Sequence, residues 1–161
     1  MRKHSIILLF NIQKAGNFGK LIRTANALGV AEVCIAGRRE FATHGNHQTK
    51  LATEFRHFYK PVEALQFYRN EGFDLVAVEI GANAINVNKH TFARDTLFLM
   101  GNETTGVHAD LLQQCDYSLY IPQFGVGASL NVNVAAGIIL NAFNAHRTEH
   151  NMIEGAKFLV G

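Results

Sequence analysis

Apolar positions along the chain come in two kinds of run. Short continuous stretches rich in β-branched residues alternate with longer stretches in which apolar residues recur every three or four positions. "HSIILLF" (4–10) is of the first kind and predicts a buried strand. "NFGKLIRTANALG" (17–29) is of the second kind: Leu21, Ile22, Ala25 and Leu28 fall on one helical face, and Gly29 supplies a stop. "AEVCIAG" (31–37) predicts a second strand, residues 38–50 a polar loop, and residues 50–58 a short helix. Pro61 starts another helix that runs through Glu71 and ends at Gly72. "DLVAVEI" (74–80) and "TLFLM" (96–100) read as strands, "HADLLQQC" (108–115) as a helix and "YSLYI" (117–121) as a strand. A last helix spans about 131–146.

Strands alternating with helices predict an α/β fold, a parallel sheet with helices on both faces. No internal repeat and no linker rich in Pro, Gly or Ser divides the 161 residues, so one domain is expected. A domain of this length buries roughly two thirds of its extended-chain surface, enough for a substantial core. In such sheets ligands bind beyond the carboxyl ends of the strands. The loops after residues 10, 80, 100 and 121 are therefore the places to look for chemistry.

Composition narrows the class. Apolar content is 48% and charged content 17%, and no apolar run is long enough to span a bilayer. The opening "MRKHSIILLFNIQK" lacks a small-residue cleavage site and reads as a strand rather than a signal peptide, so a cytoplasmic, non-membrane protein is expected. Cys34 and Cys115 are far apart and in apolar surroundings, which predicts buried free thiols and no disulfide frame. His44 and His47 are close, but no second ligand pair stands at metal spacing, so no metal is expected. The net charge of +2 is unevenly placed: residues 1–60 carry +7 and residues 61–161 carry −5. A basic half facing an acidic half suggests a surface for a polyanion, although a solvated surface gives the same count.

Three loops hold candidate chemistry. In "NIQKAGNFGKLIRTA" (11–25), Gly16 and Gly19 permit close approach of a ligand or backbone, and Arg23 interrupts an apolar helix face. The plain alternative makes Asn17 an N-cap and lets Arg23 snorkel to water. In "GNETTG" (101–106), Glu103 follows a strand end in a glycine-flanked loop, where it can pair with a basic group, take ligand hydrogen bonds or simply be solvated. In "IPQFGVGASLNVNVAAGIIL" (121–140), Gly125 and Gly127 make a loop able to wrap a small molecule. Ser129, Asn131 and Asn133 then offer three candidates for one helix cap, on a helix apolar nearly all round. A Gly-x-Gly-x-x-Gly turn, a phosphate loop and a nucleophile elbow are all absent, which weighs against dinucleotide, ATP and hydrolase sites.

Taken in order, "NFGKLIRTA", "GNETTG" and "IPQFGVGASLNVNVAAGI" resemble the three motifs of the SpoU-type (TrmH-like) RNA ribose methyltransferases of the SPOUT superfamily, over residues 5–146. The resemblance implies a parallel-sheet SPOUT fold whose C-terminal part, roughly 96–146, forms a deep trefoil knot, an exception among folds. It implies a homodimer that binds S-adenosylmethionine, releases S-adenosylhomocysteine, and methylates a ribose 2′-hydroxyl of tRNA or rRNA. Carried over by position, Arg23 is the central catalytic residue, Asn17 supports it, Glu103 orients a basic group, and Ser129 and Asn131 position the reacting groups. Backbone around Val78, Gly101, Ile121, Ser129 and Leu130 would hold the cofactor. The role of Asn133 stays open, since many relatives carry Ser there. Asn11 is followed by Ile12 where many members carry Pro, and Gln123 stands where many carry Met; neither change removes a catalytic side chain.

The implied chemistry suits these residue types. A methyl sulfonium is already an activated electrophile, so the task is to orient a hydroxyl and stabilise the charge it develops. A guanidinium is not ordinarily a base, which favours Arg23 as an electrostatic stabiliser, with an RNA phosphate taking the proton. Arg2, Lys3, Lys14, Lys20, Arg38 and Arg39 form the candidate phosphate-contacting set. Three other readings compete: an RNA-binding protein with this fold but no turnover, a methyltransferase for a base nitrogen, and an unrelated nucleotide-binding module.

Overall fold

The computed structural model describes residues 3–10, 15–37, 53–81, 83–101, 106–127 and 130–145, with the side chains of 15–17 left aside. Among the described residues, seven parallel strands form one sheet: β1 (Ser5–Phe10), β2 (Glu32–Ala36), β3 (Glu54–Phe58), β4 (Asp74–Val78), β5 (Ile85–Asn86), β6 (Thr96–Met100) and β7 (Tyr117–Tyr120). Their order across the sheet is β3-β2-β1-β6-β4-β7-β5. The central strands are apolar on both faces, and helices cover both. Helices α1 (Ala15–Ala27) and α4 (Val132–Asn144) close a core of Leu21, Ile22, Phe98, Ile139 and Phe143 on one face. Helices α2 (Pro61–Asn70) and α3 (Ala109–Leu112) close a second core of Leu8, Leu65, Tyr68, Leu97 and Leu111 on the other. The expected α/β architecture is therefore present, and among the described residues no helix is long and apolar enough to cross a membrane.

Three local expectations change, and one stretch gains structure that none foresaw. The short helix expected over 50–58 is strand β3, which pairs with β2 from Glu32↔Glu54 to Ala36↔Phe58. Its backbone finds partners on β2, and this edge position leaves Glu54, Phe55, Arg56 and His57 exposed, so no alternating pattern marks it. The helix expected over 108–115 shortens to one turn, capped by the His108 side chain, which accepts from the Asp110 N–H. Strand β5 and the 3₁₀ turn Val87–Lys89 lie in a stretch that carried no prediction. Helix α1 begins at Ala15, so Asn17 lies inside its first turn rather than at a cap. Cys34 is fully buried and Cys115 half-buried, both as free thiols. The 38–50 loop with His44 and His47, and the chain after 145, lie outside the described residues.

Candidate active site

Strands β1, β6, β4 and β7 are neighbours, and their register fixes what meets at the carboxyl edge. Val78 pairs with Met100 on one side and Leu119 on the other. Val78, Gly101 and Ile121 therefore stand at or just past the ends of three adjacent strands, as expected for a ligand crevice in such a sheet. The side chain of Ile80 is 63% exposed at this edge, and Leu130 is also exposed. A Cβ built on Gly125 or Gly127 would meet nothing within 4 Å. Exposed Phe124 and Val126 alternate with these glycines, and apolar surface beside such a loop is the kind of wall that a planar, partly polar ligand needs.

Gly101 has a further constraint. A Cβ there would fall 3.1 Å from the Cα of Gly106, so the two ends of "GNETTG" are packed backbone to backbone. Gly106 has φ +71, and a Cβ on it would fall 2.5 Å from Glu79 Oε1. That same oxygen accepts the Val107 N–H at 3.0 Å. Glu79 follows Val78 directly, and its own N–H donates to the Leu119 carbonyl at 2.9 Å. Sequence reasoning did not single out Glu79; the only signal was a carboxylate immediately past a buried strand.

The start of α4 resolves two of the three polar candidates. Asn131 is the N-cap: its Oδ1 accepts the Asn133 N–H at 2.8 Å. The Asn133 side chain reaches to the neighbouring helix, where its Oδ1 accepts the Thr24 hydroxyl at 2.7 Å. Farther along, Asn144 Nδ2 donates to the Leu28 carbonyl at 2.8 Å, so α4 and α1 run in the same sense and are tied at two levels. Arg23 precedes Thr24 and is exposed; among the described residues nothing hydrogen-bonds or ion-pairs with its guanidinium. The first and third motifs thus meet through Thr24 and Asn133, neither of which sequence reasoning had placed in a role.

The remaining expected positions divide. Lys20 is exposed on α1. Lys3 precedes β1, at the amino edge of the sheet, away from the strand ends above. Its ammonium donates to the Phe92 carbonyl at 2.6 Å and lies 5.9 Å from the centre of the Phe143 ring. Arg2, Lys14, Arg38, Arg39, Glu103, Ser129 and the side chain of Asn17 lie outside the described residues. Among the described residues no group of three His, Cys, Asp or Glu side chains is placed to hold a metal ion.

Below this site on the same sheet face, α4 presents a stripe to solvent. Val134 and Ile138 are exposed one helical turn apart. Ile138, Asn141, Ala142 and Ala145 then line an open groove of about 440 Å³ against Val87, Asn88 and His90.

The sequence model of the SpoU rRNA methylase family matches residues 4–141. The tRNA (guanosine(18)-2′-O)-methyltransferase of Aquifex aeolicus is 31% identical over 158 residues, covering 94% of this chain and 74% of that enzyme. The 23S rRNA (guanosine(2553)-2′-O)-methyltransferase of Bacillus subtilis is 34% identical over 144 residues, covering 84% of this chain and 56% of that one. The crystal structure of a SpoU methyltransferase from Streptomyces viridochromogenes, in complex with the cofactor AdoMet, superposes with a TM-score of 0.78 at 26% identity, over 88% of this chain and 60% of that chain.

Proposed function

This chain belongs to the SpoU rRNA methylase family, and we propose on that footing that it transfers the methyl group of S-adenosylmethionine to a ribose 2′-hydroxyl of tRNA or rRNA. The observation that carries the reading is the meeting of the three motifs. Gly101 and Ile121 stand with Val78 at adjacent strand ends, and the Thr24–Asn133 hydrogen bond ties the helix bearing Arg23 to the cap formed by Asn131. A fold held together for another purpose would not need all three at one place.

The residues present fit the cofactor. Gly101 has no room for a side chain beside Gly106, so no side chain at this position covers the end of β6. Ile80, Ile121 and Leu130 offer apolar surface for a purine, and the glycine loop after Pro122 leaves room around it. Val78, Gly101, Ile121, Ser129 and Leu130 are the positions that would hold it. When bound, it supplies a methyl group already activated by a positively charged sulfur.

The chain's own part is orientation and charge. Asn131 spends its side-chain oxygen on the helix cap, so its contribution is to fix where the preceding Leu130 and Ser129 lie. Arg23 places a cation on an exposed helix face, where it stabilises the oxygen as its proton leaves toward an RNA phosphate. Asn17 and Glu103 support that cation in this reading. Lys20, with Arg2, Lys14, Arg38 and Arg39, contributes a basic surface for RNA phosphates. Lys3, engaged at the opposite edge, is the weakest member of that set.

Two finer statements belong to the same proposal. The C-terminal part, 96–146, is knotted; the support is that β6 pairs with both β1 and β4, between strands laid down earlier in the chain. The protein works as a homodimer in the cytoplasm. The support is the exposed Val134 and Ile138 stripe on α4, Arg23 standing exposed on α1 as a side chain offered to a partner's site, and two free thiols that suit a reducing compartment.

The test is methylation in vitro of total tRNA and, separately, rRNA with radiolabelled S-adenosylmethionine, using RNA from cells that lack this protein. Label in one pool, lost with Arg23→Ala, is the expected result. Absence of both label and cofactor binding would overturn the assignment.

A further inference from the structure

Glu79 belongs to none of the three motifs, yet it fastens three strand ends together. Its N–H donates to the Leu119 carbonyl of β7 at 2.9 Å, and its Oε1 accepts the Val107 N–H, just past the loop that follows β6, at 3.0 Å. It does so from the residue directly after β4. The carboxylate also occupies the room in which any side chain at Gly106 would lie, at 2.5 Å from that Cβ position. Gly106 in turn backs onto Gly101, with 3.1 Å from its Cα to the Cβ position of Gly101. A chain of contacts therefore runs from the Glu79 carboxylate through Gly106 to Gly101.

We propose that Glu79 is a positioning residue for cofactor binding: its carboxylate latches the neck of the 101–106 loop, setting the backbone at Gly101 and the start of the segment that carries Glu103. It acts through the loop and touches neither methyl donor nor RNA. The inference rests on the cofactor reading above. Two structural facts make the latch specific to this side chain. The acceptor oxygen must reach a backbone N–H past the loop that follows the neighbouring strand β6, and the residue at 106 must be glycine, both for its positive φ and for the space the carboxylate takes.

Glutamine keeps an oxygen at the same reach and should preserve the latch. Alanine removes it and leaves the Val107 N–H without this partner. Aspartate is one methylene short and should fall between them. The experiment is calorimetric titration of the unaltered protein and of Glu79→Ala, Glu79→Gln and Glu79→Asp with S-adenosylhomocysteine, without RNA, beside the thermal midpoint of each protein free of ligand. The expected result is that Glu79→Ala raises Kd about tenfold, a loss of the size of one half-buried hydrogen bond to a charged group. Glu79→Gln should stay within about twofold of the unaltered protein. Gly106→Ala, which crowds the same oxygen and also strains the positive φ, should weaken binding in both backgrounds, and more in the Glu79 background than in the Glu79→Ala background.

Binding by the unaltered protein with equal Kd for Glu79→Ala would overturn the latch and leave the methyltransferase reading standing. A Kd that rises equally for Gln and Ala would also overturn it, since an acceptor oxygen would then not be what matters. Absence of binding by the unaltered protein would overturn the cofactor reading and the latch with it. Should Glu79→Ala fail to fold, the comparison of Glu79→Gln with Glu79→Asp decides: the latch requires the first to bind normally and the second more weakly, and equal binding by the two would overturn it.

Discussion

The hydroxyl of Thr24 donates to the side-chain oxygen of Asn133 across 2.7 Å, joining the third turn of α1 to the first turn of α4. The bond is half-buried, and Gly137 leaves room one turn farther on for the Thr24 methyl group, 3.8 Å from the position a Cβ would take. Arg23 sits on one side of this bond in sequence and the Asn131 cap on the other. The distance from the Arg23 backbone to the cap is thus set by two short side chains rather than by a long flexible one.

Removing either partner should cost stability in the range of one neutral hydrogen bond. Thr24→Val keeps the shape and leaves the Asn133 oxygen unpaired, with an expected loss of about 1 kcal/mol. Asn133→Ala should cost a similar amount, and the double variant clearly less than the two together. Urea unfolding of the four proteins checks this. Strictly additive losses would mean that the two groups do not act as a pair.

Arg23 offers the sharpest activity prediction. Arg23→Ala should reduce kcat by a factor of about 10²–10³, the usual loss when one preorganised charge-stabilising group is removed. Its exposure argues that folding does not depend on it, so unfolding midpoints and S-adenosylhomocysteine affinity should barely move. Arg23→Lys keeps the charge and loses the planar fork. A lysine variant with nearly full kcat would show that charge alone suffices and would remove the case for guanidinium geometry.

How much of this was readable beforehand depends on the length scale of the signal. Strands β1 and β6 and helices α1 and α4 announce themselves, because burial on both faces of a strand imposes an unbroken apolar run and burial of one helix face imposes a period, each over five or more residues. Strand β3 does not: Glu54 to His57 are exposed at the sheet edge, so no face selects apolar residues. Two-residue β5 is too short to carry any period. Within the site, the motif residues were legible by resemblance, and their division of labour was not. Three polar residues ahead of a helix predict a cap without saying which; only the positions of Thr24 and the Asn133 N–H separate Asn131 the cap from Asn133 the cross-link. Glu79 left no pattern because its role depends on a glycine 27 positions later in the chain.

The two thiols should be inert in the folded protein. Burial pushes Cys115 up to about 12, with the neighbouring Asp116 adding to the rise, and burial raises Cys34 further still, with Glu32 adding to it. Cys34 Sγ is also engaged, 3.4 Å from Glu32 Oε1 and 3.0 Å from the Tyr68 hydroxyl. Thiolate is the reactive form, so a rise of this size leaves about a thousandfold less of it at neutral pH than an ordinary cysteine holds. Labelling with a disulfide reagent should be slow in buffer and rapid for both residues in denaturant. Fast labelling of one thiol in the native protein would contradict the packing around it.

His90 gives a pH dependence whose sign follows from its surroundings. Its Nε2 lies 2.8 Å from the Tyr117 hydroxyl, and its ring packs edge-on against Phe92. Burial lowers its pKa from the ordinary 6.5, with the Asp74 carboxylate acting weakly the other way. In the unfolded chain the imidazole takes up a proton as pH falls through the ordinary value, while in the folded protein it resists until a lower pH. The unfolded state thus binds more protons in that interval, so stability falls with falling pH there and levels off below the folded value. Urea midpoints measured between about pH 7.5 and pH 5.5 should decline for the unaltered protein and decline less steeply for His90→Gln, which keeps a polar partner for Tyr117. The comparison isolates one residue, because the other histidines contribute equally to both slopes. Identical slopes would mean that this imidazole titrates alike in the folded and unfolded states, and that the contacts with Tyr117 and Phe92 do not hold it neutral.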